Sequence, residues 1–303
     1  MIRFLIFFGF FLLPTLAQAE LRIVTTMPEF AALAQELGGD DVSVTSLTSA
    51  TQDTHFIDAK PSFVLKLNQA DLLIVNGLEL EIGWIPTLIT QARNPKIQPG
   101  QSGYLDASTL AAPILEVPQG TIDRSMGDIH PGGNPHFSRD PKRMLNVIDG
   151  IAQRILTLAP QSKTKVETNL KKMKTRIQAI IAQNLERWSS LKVEQKQIVE
   201  YHKSWSYLFE TLGVNVPIRL EPKPGVAPSP SHIANVVQTM RNAKVTILLQ
   251  ETYLPERIMK TVAQMTKSTH LKVASGPDFK GGQTYSEYLA ALLDTLYSAL
   301  SKE

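Results

Sequence analysis

Two kinds of hydrophobic spacing alternate along the chain. Short β-rich runs occur at Leu21–Thr26, Val42–Leu47 and Leu72–Val75. Between them, apolar residues recur at steps of three and four, the period of a helix with one buried face. Phe30, Leu33, Ala34 and Leu37 follow Pro28, which suits a first helical turn, and Gly38-Gly39 ends the run. Phe63, Val64 and Leu67 mark a helix over Pro61–Asn68, and another is expected over Trp84–Ala92. Met144, Val147, Ile148, Ile151 and Ile155 mark a further one. Strands alternating with helices at this spacing predict a parallel α/β sheet.

A different object follows. Val166, Leu170, Met173, Ile177, Ile180, Leu185 and Trp188 recur at steps of three to five, with Lys163, Lys165, Lys171, Lys172, Lys174 and Arg176 among the positions between them. No Gly or Pro interrupts Gln161–Leu191. This pattern predicts one long amphipathic helix, roughly 42 Å for about 28 residues. Its central position suits a rod joining two lobes. The alternation then resumes, with strands expected at Gln197–Tyr201, Val214–Ile218, Val245–Leu249 and Leu271–Ala274. Helices are expected at Ser204–Leu212, from Ser229-Pro230 through Met240, at Pro255–Thr266 and at Tyr285–Leu300. The expected architecture is α/β: two lobes, each a mainly parallel sheet with flanking helices, with a cleft between them. The first lobe is expected over 20–160, the linking helix over 161–191 and the second lobe over 192–303.

The first nineteen residues read differently. Arg3 precedes the apolar run Phe4–Leu13, Pro14 breaks it, and Ala17-Gln18-Ala19 offers a cleavage site before Glu20. That is the pattern of a secretory signal peptide, so a periplasmic product is expected. The run is short for a bilayer span.

Composition narrows the chemistry. The 303 residues are 43% hydrophobic and 19% charged, with a formal net charge of only +3, which gives no reason to expect a nucleic-acid partner. The absence of cysteine excludes disulfides, thiolate metal sites, a cysteine nucleophile and a lipid carried on cysteine. Six histidines remain, and their placement is informative. Ligands in open parallel sheets bind beyond the carboxyl ends of the strands. His55, His136 and His202 fall in such loops, as do Glu251 and Asp278. Imidazole and carboxylate without sulfur suit Zn²⁺, with Mn²⁺ and Fe²⁺ as alternatives. The separations are long, and no short motif such as H-E-x-x-H is present. His270 is expected ahead of its strand, as a solvated surface residue. His232, in a first helical turn, is expected to be structural. His130 shares the Gly/Pro-rich loop Met126–His136 and is a candidate for an outer or auxiliary role.

The chain resembles the metal-binding family of ABC-transporter solute-binding proteins, the zinc-uptake type in particular. The resemblance spans nearly all of the chain beyond the signal segment. It rests on Ile23–Thr26, Thr51-Gln-Asp-Thr-His55 with Pro61-Ser62, Ala70–Gly77, Gly133-Asn-Pro-His136 with Asp140-Pro141, and Tyr201-His202. Glu221-Pro-Lys-Pro-Gly225 with Ser229-Pro-Ser-His232 resembles one bacterial subgroup. The resemblance implies a metal held between the lobes by His55, His136 and His202. It also implies a closing aspartate after the last strand, which points to Asp278. The stretch Val273–Phe279 departs from the family's order of Pro and Asp, so Glu251 stands as a rival fourth ligand. Histidine at position 202 favours zinc over manganese among such proteins. The implied function is capture of a divalent metal and its delivery to an inner-membrane ABC permease by a monomer that is not an enzyme. Three imidazoles and one carboxylate would close a four-coordinate site and leave no place for reactive water. The alternative from another class is an exported zinc hydrolase, with Glu251 or Asp278 as general base.

Overall fold

The computed structural model describes residues 20–120, 122–123 and 127–302. The signal-peptide expectation therefore lies outside the described residues. In the first lobe four parallel strands form one sheet: β1 (Leu21–Thr25), β2 (Val42–Ser46), β3 (Leu72–Val75) and β4 (Tyr104–Asp106), in the order β2-β1-β3-β4. Ile23 sits in register between Val44 and Leu72, and β3 is buried throughout. Helices α1 (Pro28–Gly38), α2 (Pro61–Gln69) and α3 (Ile85–Ala92) connect the strands, and each opens on a proline in its first turn. Helix α4 (Pro141–Leu158) follows, capped by Asp140, whose carboxylate accepts from the Lys142 amide.

Helix α5 (Lys163–Ser189) is the long helix expected from the sequence. Its 27 residues extend about 40 Å. Val166, Met173, Ile177 and Trp188 form its buried stripe. It packs on α1 and α4 and then reaches α9 (Tyr285–Leu300), where the Arg187 guanidinium stands 4.0 Å over the Tyr297 ring.

The second lobe holds β5 (Val199–Glu200), β6 (Ile247–Glu251) and β7 (Thr269–Val273), parallel and in that order, with α6 (Ser206–Leu212), α7 (Pro230–Ala243) and α8 (Glu256–Thr266). The strand expected at Val214–Ile218 does not form. Residues 215–221 run beside β5 and make only two isolated bridges, at Asn215 and Arg219. Pro217 lies between them and has no amide to donate, so the ladder is interrupted. His270 is also corrected: it lies inside β7 rather than ahead of it, with Nε2 2.9 Å from Gln250 Oε1.

The principal hydrophobic core is continuous between the lobes. It runs from Phe30, Leu33 and Ile148 through Met173 and Ile177 to Trp205, Tyr285 and Leu289. Among the described residues no helix is long and apolar enough to cross a membrane.

Candidate metal centre

Each of the three histidines is fixed by its own short loop. His55 follows β2. The Asp53 carboxylate accepts from the His55 amide at 3.0 Å and lies 2.7 Å from His55 Nδ1, so one side chain sets both the turn and the ring. The Trp84 indole donates to the Thr54 carbonyl at 2.9 Å and pins the loop to the start of α3.

His136 opens a single 3₁₀ turn ahead of α4. Its amide donates to Asn134 Oδ1 at 2.9 Å, and the Asn134 amide group donates to the Lys203 carbonyl at 3.0 Å and to Glu116 at 2.8 Å. The Tyr207 hydroxyl donates to the Asn134 carbonyl at 2.6 Å. Asn134 thus ties the His136 loop of the first lobe to the His202 loop of the second.

His202 follows β5 directly. Its Nδ1 lies 2.6 Å from Glu221 Oε2, which also accepts from the Gly225 amide at 3.1 Å. The Glu221 amide donates to the Tyr201 carbonyl at 3.0 Å, so the irregular stretch beside β5 delivers Glu221 to the ring.

The structure brings the three imidazoles together. Their ligand atoms lie within 4.8 Å of one another, and His136 Nε2 is 3.2 Å from His202 Nε2. All three rings are buried. His55 Nε2 has no hydrogen-bond partner. With Nδ1 of His55 and His202 engaged by carboxylates, the Nε2 atoms are left for a cation, the arrangement that orients metal-bound histidines.

The electrostatics differ from ring to ring. Burial, with the neighbouring imidazoles of His55 and His202, holds the His136 pKa well below its ordinary value. Burial also acts to lower His202, but the hydrogen bond and charge of Glu221, with Glu251 and Asp53 behind them, outweigh it and raise the pKa above 6.5. Asp53 is lowered: burial opposes its charge, and its bonds to His55 prevail.

The two candidate carboxylates sit in different surroundings. Glu251 is the last residue of β6 and fully buried, and neither of its carboxylate oxygens has a hydrogen-bond partner. Its charge acts on both His202 and Arg139. Asp278 is exposed; its Oδ1 accepts from the Gly281 amide at 3.1 Å and its own amide donates to Gln283 at 2.9 Å. No described contact joins Asp278 to the histidines. His130 lies beside the cluster, its ring centroid 5.4 Å from that of His55. His232 Nε2 sits 3.0 Å from the Arg219 carbonyl in the first turn of α7. The sequence reading gave no role to Asp53, Glu221 or Asp128. An acid two residues before a candidate histidine was the available signal for Asp53; Glu221 lies 19 residues beyond its histidine and gave no local one.

The family described as ZnuA, zinc-uptake complex component A, periplasmic, matches residues 23–299. The chain belongs to this family. The manganese ABC transporter substrate-binding lipoprotein PsaA of Streptococcus anginosus is 25% identical over 296 residues, covering 93% of this chain and 90% of the relative. A crystal structure of ZnuA superposes with a TM-score of 0.75 at 18% identity, covering 93% of this chain and all of that one. The solute-binding protein FpvC of Pseudomonas aeruginosa, solved with Mn²⁺, superposes with a TM-score of 0.76 at 20% identity, covering 94% of this chain and 99% of that one. The two structural likenesses bear on the fold: parallel α/β sheets in two lobes joined by a long helix. As a family member, the chain is a metal-binding substrate-binding protein that works with the membrane permease and ATPase of an ABC transporter, and it is not an enzyme.

Proposed function

We propose that the chain captures Zn²⁺ outside the cytoplasm and delivers it to an ABC permease, with His55, His136, His202 and Glu251 as ligands. The observation that carries this reading is the convergence of three buried imidazoles, two of them braced through Nδ1 by a carboxylate. Neutral nitrogen donors suit zinc better than manganese, which favours a harder, oxygen-rich set.

The choice of Glu251 over Asp278 rests on cost. A buried carboxylate without hydrogen bonds is expensive, several kcal/mol after relaxation. A divalent cation would offset that cost, and two positively polarised neighbours, His202 and Arg139, already face Glu251. Asp278 has solvent and a backbone amide and needs no cation. Three neutral imidazoles alone would leave the ion's +2 charge uncompensated in a dry site.

Manganese is the second reading, favoured by the streptococcal relative PsaA, a manganese transporter protein by name, and by the Mn²⁺ in the FpvC structure. The deciding experiment is metal analysis of protein isolated from the periplasm of cells grown without added metal. One zinc per chain supports the proposal. One manganese per chain, with zinc a minor component, overturns it.

A further inference from the structure

Beside the histidines the two lobes are joined by polar contacts that no ligand role explains. Two segments of the first lobe, residues 114–116 and 133–136, lie against each other. Gly133 permits this: it has φ +105°, and a Cβ there would stand 2.7 Å from the Leu115 carbonyl oxygen. The backbone N–H of Asn134 donates to that same carbonyl at 2.9 Å. The hydroxyl of Tyr207, a fully buried residue of α6 in the second lobe, enters between the two segments. It accepts from the Leu115 backbone N–H at 3.1 Å and donates to the Asn134 carbonyl at 2.6 Å.

Two side chains then cross to the loop that carries His202. Glu116 accepts from Asn134 Nδ2 at 2.8 Å and from Ser206 Oγ at 3.0 Å, and its carboxylate lies 3.0 Å from Lys203 Nζ. Its φ of +57° is a left-handed conformation that a side chain disfavours. Such strain persists only where the surroundings hold it, and two of the three groups that bind this carboxylate belong to the second lobe. Asn134 Nδ2 also donates to the Lys203 carbonyl at 3.0 Å, one residue beyond His202, while Asn134 Oδ1 accepts from the His136 backbone N–H at 2.9 Å. One side chain therefore holds His136 by its backbone and the His202 loop by the next residue.

We propose that Asn134 and Glu116, backed by Tyr207, are positioning residues: they clasp the His202 loop against the His136 loop and set the rate at which the bound cation leaves. This inference rests on the metal-capture reading above. The clasp touches neither the ion nor a ligand atom and acts through the loops alone. The ion and the clasp bridge the same two loops in parallel. While the clasp holds, an imidazole that lets go of the ion stays within reach and rebinds. When the clasp opens, His202 and Glu251 withdraw with the second lobe, and the ion keeps only His55 and His136. The side chains of Lys203 and Glu116 are 34% and 30% exposed, so water can replace their ion pair at little cost. The clasp can therefore open without unfolding either lobe, unlike the buried pair of Arg139 and Glu29.

Asn134→Asp separates the two jobs of this side chain. Aspartate still accepts from the His136 N–H, so the turn is kept, but it cannot donate to Lys203 or Glu116, and its charge faces that of Glu116. Zn²⁺ release from the whole chain is followed by stopped flow against a fluorescent zinc chelator, with Kd from equilibrium competition. A net hydrogen bond is worth up to roughly a factor of ten. Release is therefore expected to be about tenfold faster and affinity about tenfold weaker, with uptake little changed. Adding Glu116→Gln supplies an amide that can donate to the new carboxylate, and release is expected to return to within about threefold of the unaltered chain. A residue that only supported the fold would not be rescued in this way. Tyr207→Phe keeps the ring, removes the hydroxyl between the two segments and is expected to speed release several-fold; it decides the matter should Asn134→Asp fail to fold. Unchanged release in folded Asn134→Asp, equally fast release with and without Glu116→Gln, or unchanged release in Tyr207→Phe overturns the proposal. An unaltered chain that takes up no Zn²⁺ overturns the metal-capture reading and the clasp with it, and is told apart because only then is the reference protein itself silent.

Discussion

His136 and His202 stand 66 residues apart in sequence and on different lobes, yet their Nε2 atoms are 3.2 Å apart. Two bare lone pairs do not approach so closely without a proton between them. Glu221 raises the His202 pKa while burial and neighbouring rings depress His136. One ring must donate across this contact: a protonated His202, or a neutral His136 in its Nε2–H tautomer facing a His202 whose Nδ1–H is held by Glu221. That proton occupies the place where a cation would bind.

Zinc binding therefore displaces a proton. Calorimetric titrations in buffers of different ionisation enthalpy are expected to show proton release on zinc binding that grows as pH falls through the raised His202 pKa. Affinity is full above the raised His202 pKa and falls as pH drops through it, starting above the ordinary histidine value of 6.5. In the metal-free protein the sign is opposite. A raised folded-state pKa gives stability that is present below the unfolded value and lost as pH rises through the folded one. The gap in melting temperature between zinc-bound and metal-free protein should thus widen from pH 6 to pH 8. A gap that narrows would contradict the shared proton.

Glu251→Gln and Asp278→Asn separate the two carboxylates. Glu251→Gln is expected to weaken zinc binding by more than the roughly 100-fold that loss of an outer hydrogen-bond partner can cost. The same variant keeps the shape of the side chain, so the metal-free protein should stay folded and melt within a few degrees of the unaltered chain. Asp278→Asn should leave affinity within a few-fold. Equilibrium competition with a chelator and thermal melts read both quantities. A large loss of affinity in Asp278→Asn alone would transfer the ligand role to Asp278.

Asp53→Asn and Glu221→Gln remove the carboxylates that brace Nδ1 of His55 and His202. Each is expected to cost roughly 10- to 100-fold in zinc affinity with the fold intact. Affinities equal to that of the unaltered chain would show that packing alone orients the rings.

A further prediction concerns the scaffold. Arg139 donates to Glu29 at 2.7 Å, both side chains are buried, and the Arg139 guanidinium lies 5.3 Å from the ring of Trp205 in the second lobe. Glu29→Ala leaves that guanidinium without its carboxylate and is expected to cost about 3–5 kcal/mol in urea unfolding. A loss below about 1 kcal/mol would mean that solvent or Glu251 replaces Glu29.

The alternation of strands and helices and the long central helix were legible because their periods are regular and their ends carry Pro and Gly. The clustering of His55, His136 and His202 was anticipated from their loop positions together with the family resemblance, since parallel sheets present such loops on one side. Tyr104–Asp106 was missed as a strand because three residues carry no period. Val214–Ile218 looked like a strand by composition, and Pro217 decided otherwise. Strand β6 ends two residues later than its apolar run, so Glu251 is inside the sheet end and fully buried. The sequence could not show that, because a terminal Gln-Glu reads as the start of a loop. The approach of His130 to His55 was equally hidden, since the contacts of residues 128–130 with Leu78 and Pro224 join segments distant along the chain.

X-ray absorption of the zinc-loaded protein tests the central claim most directly. The account predicts one zinc with four light ligands near 2.0–2.1 Å, of which three give the multiple-scattering signature of imidazole and the fourth is an oxygen. Six oxygen-dominated ligands, or fewer than three imidazoles, would contradict a zinc site built from His55, His136 and His202.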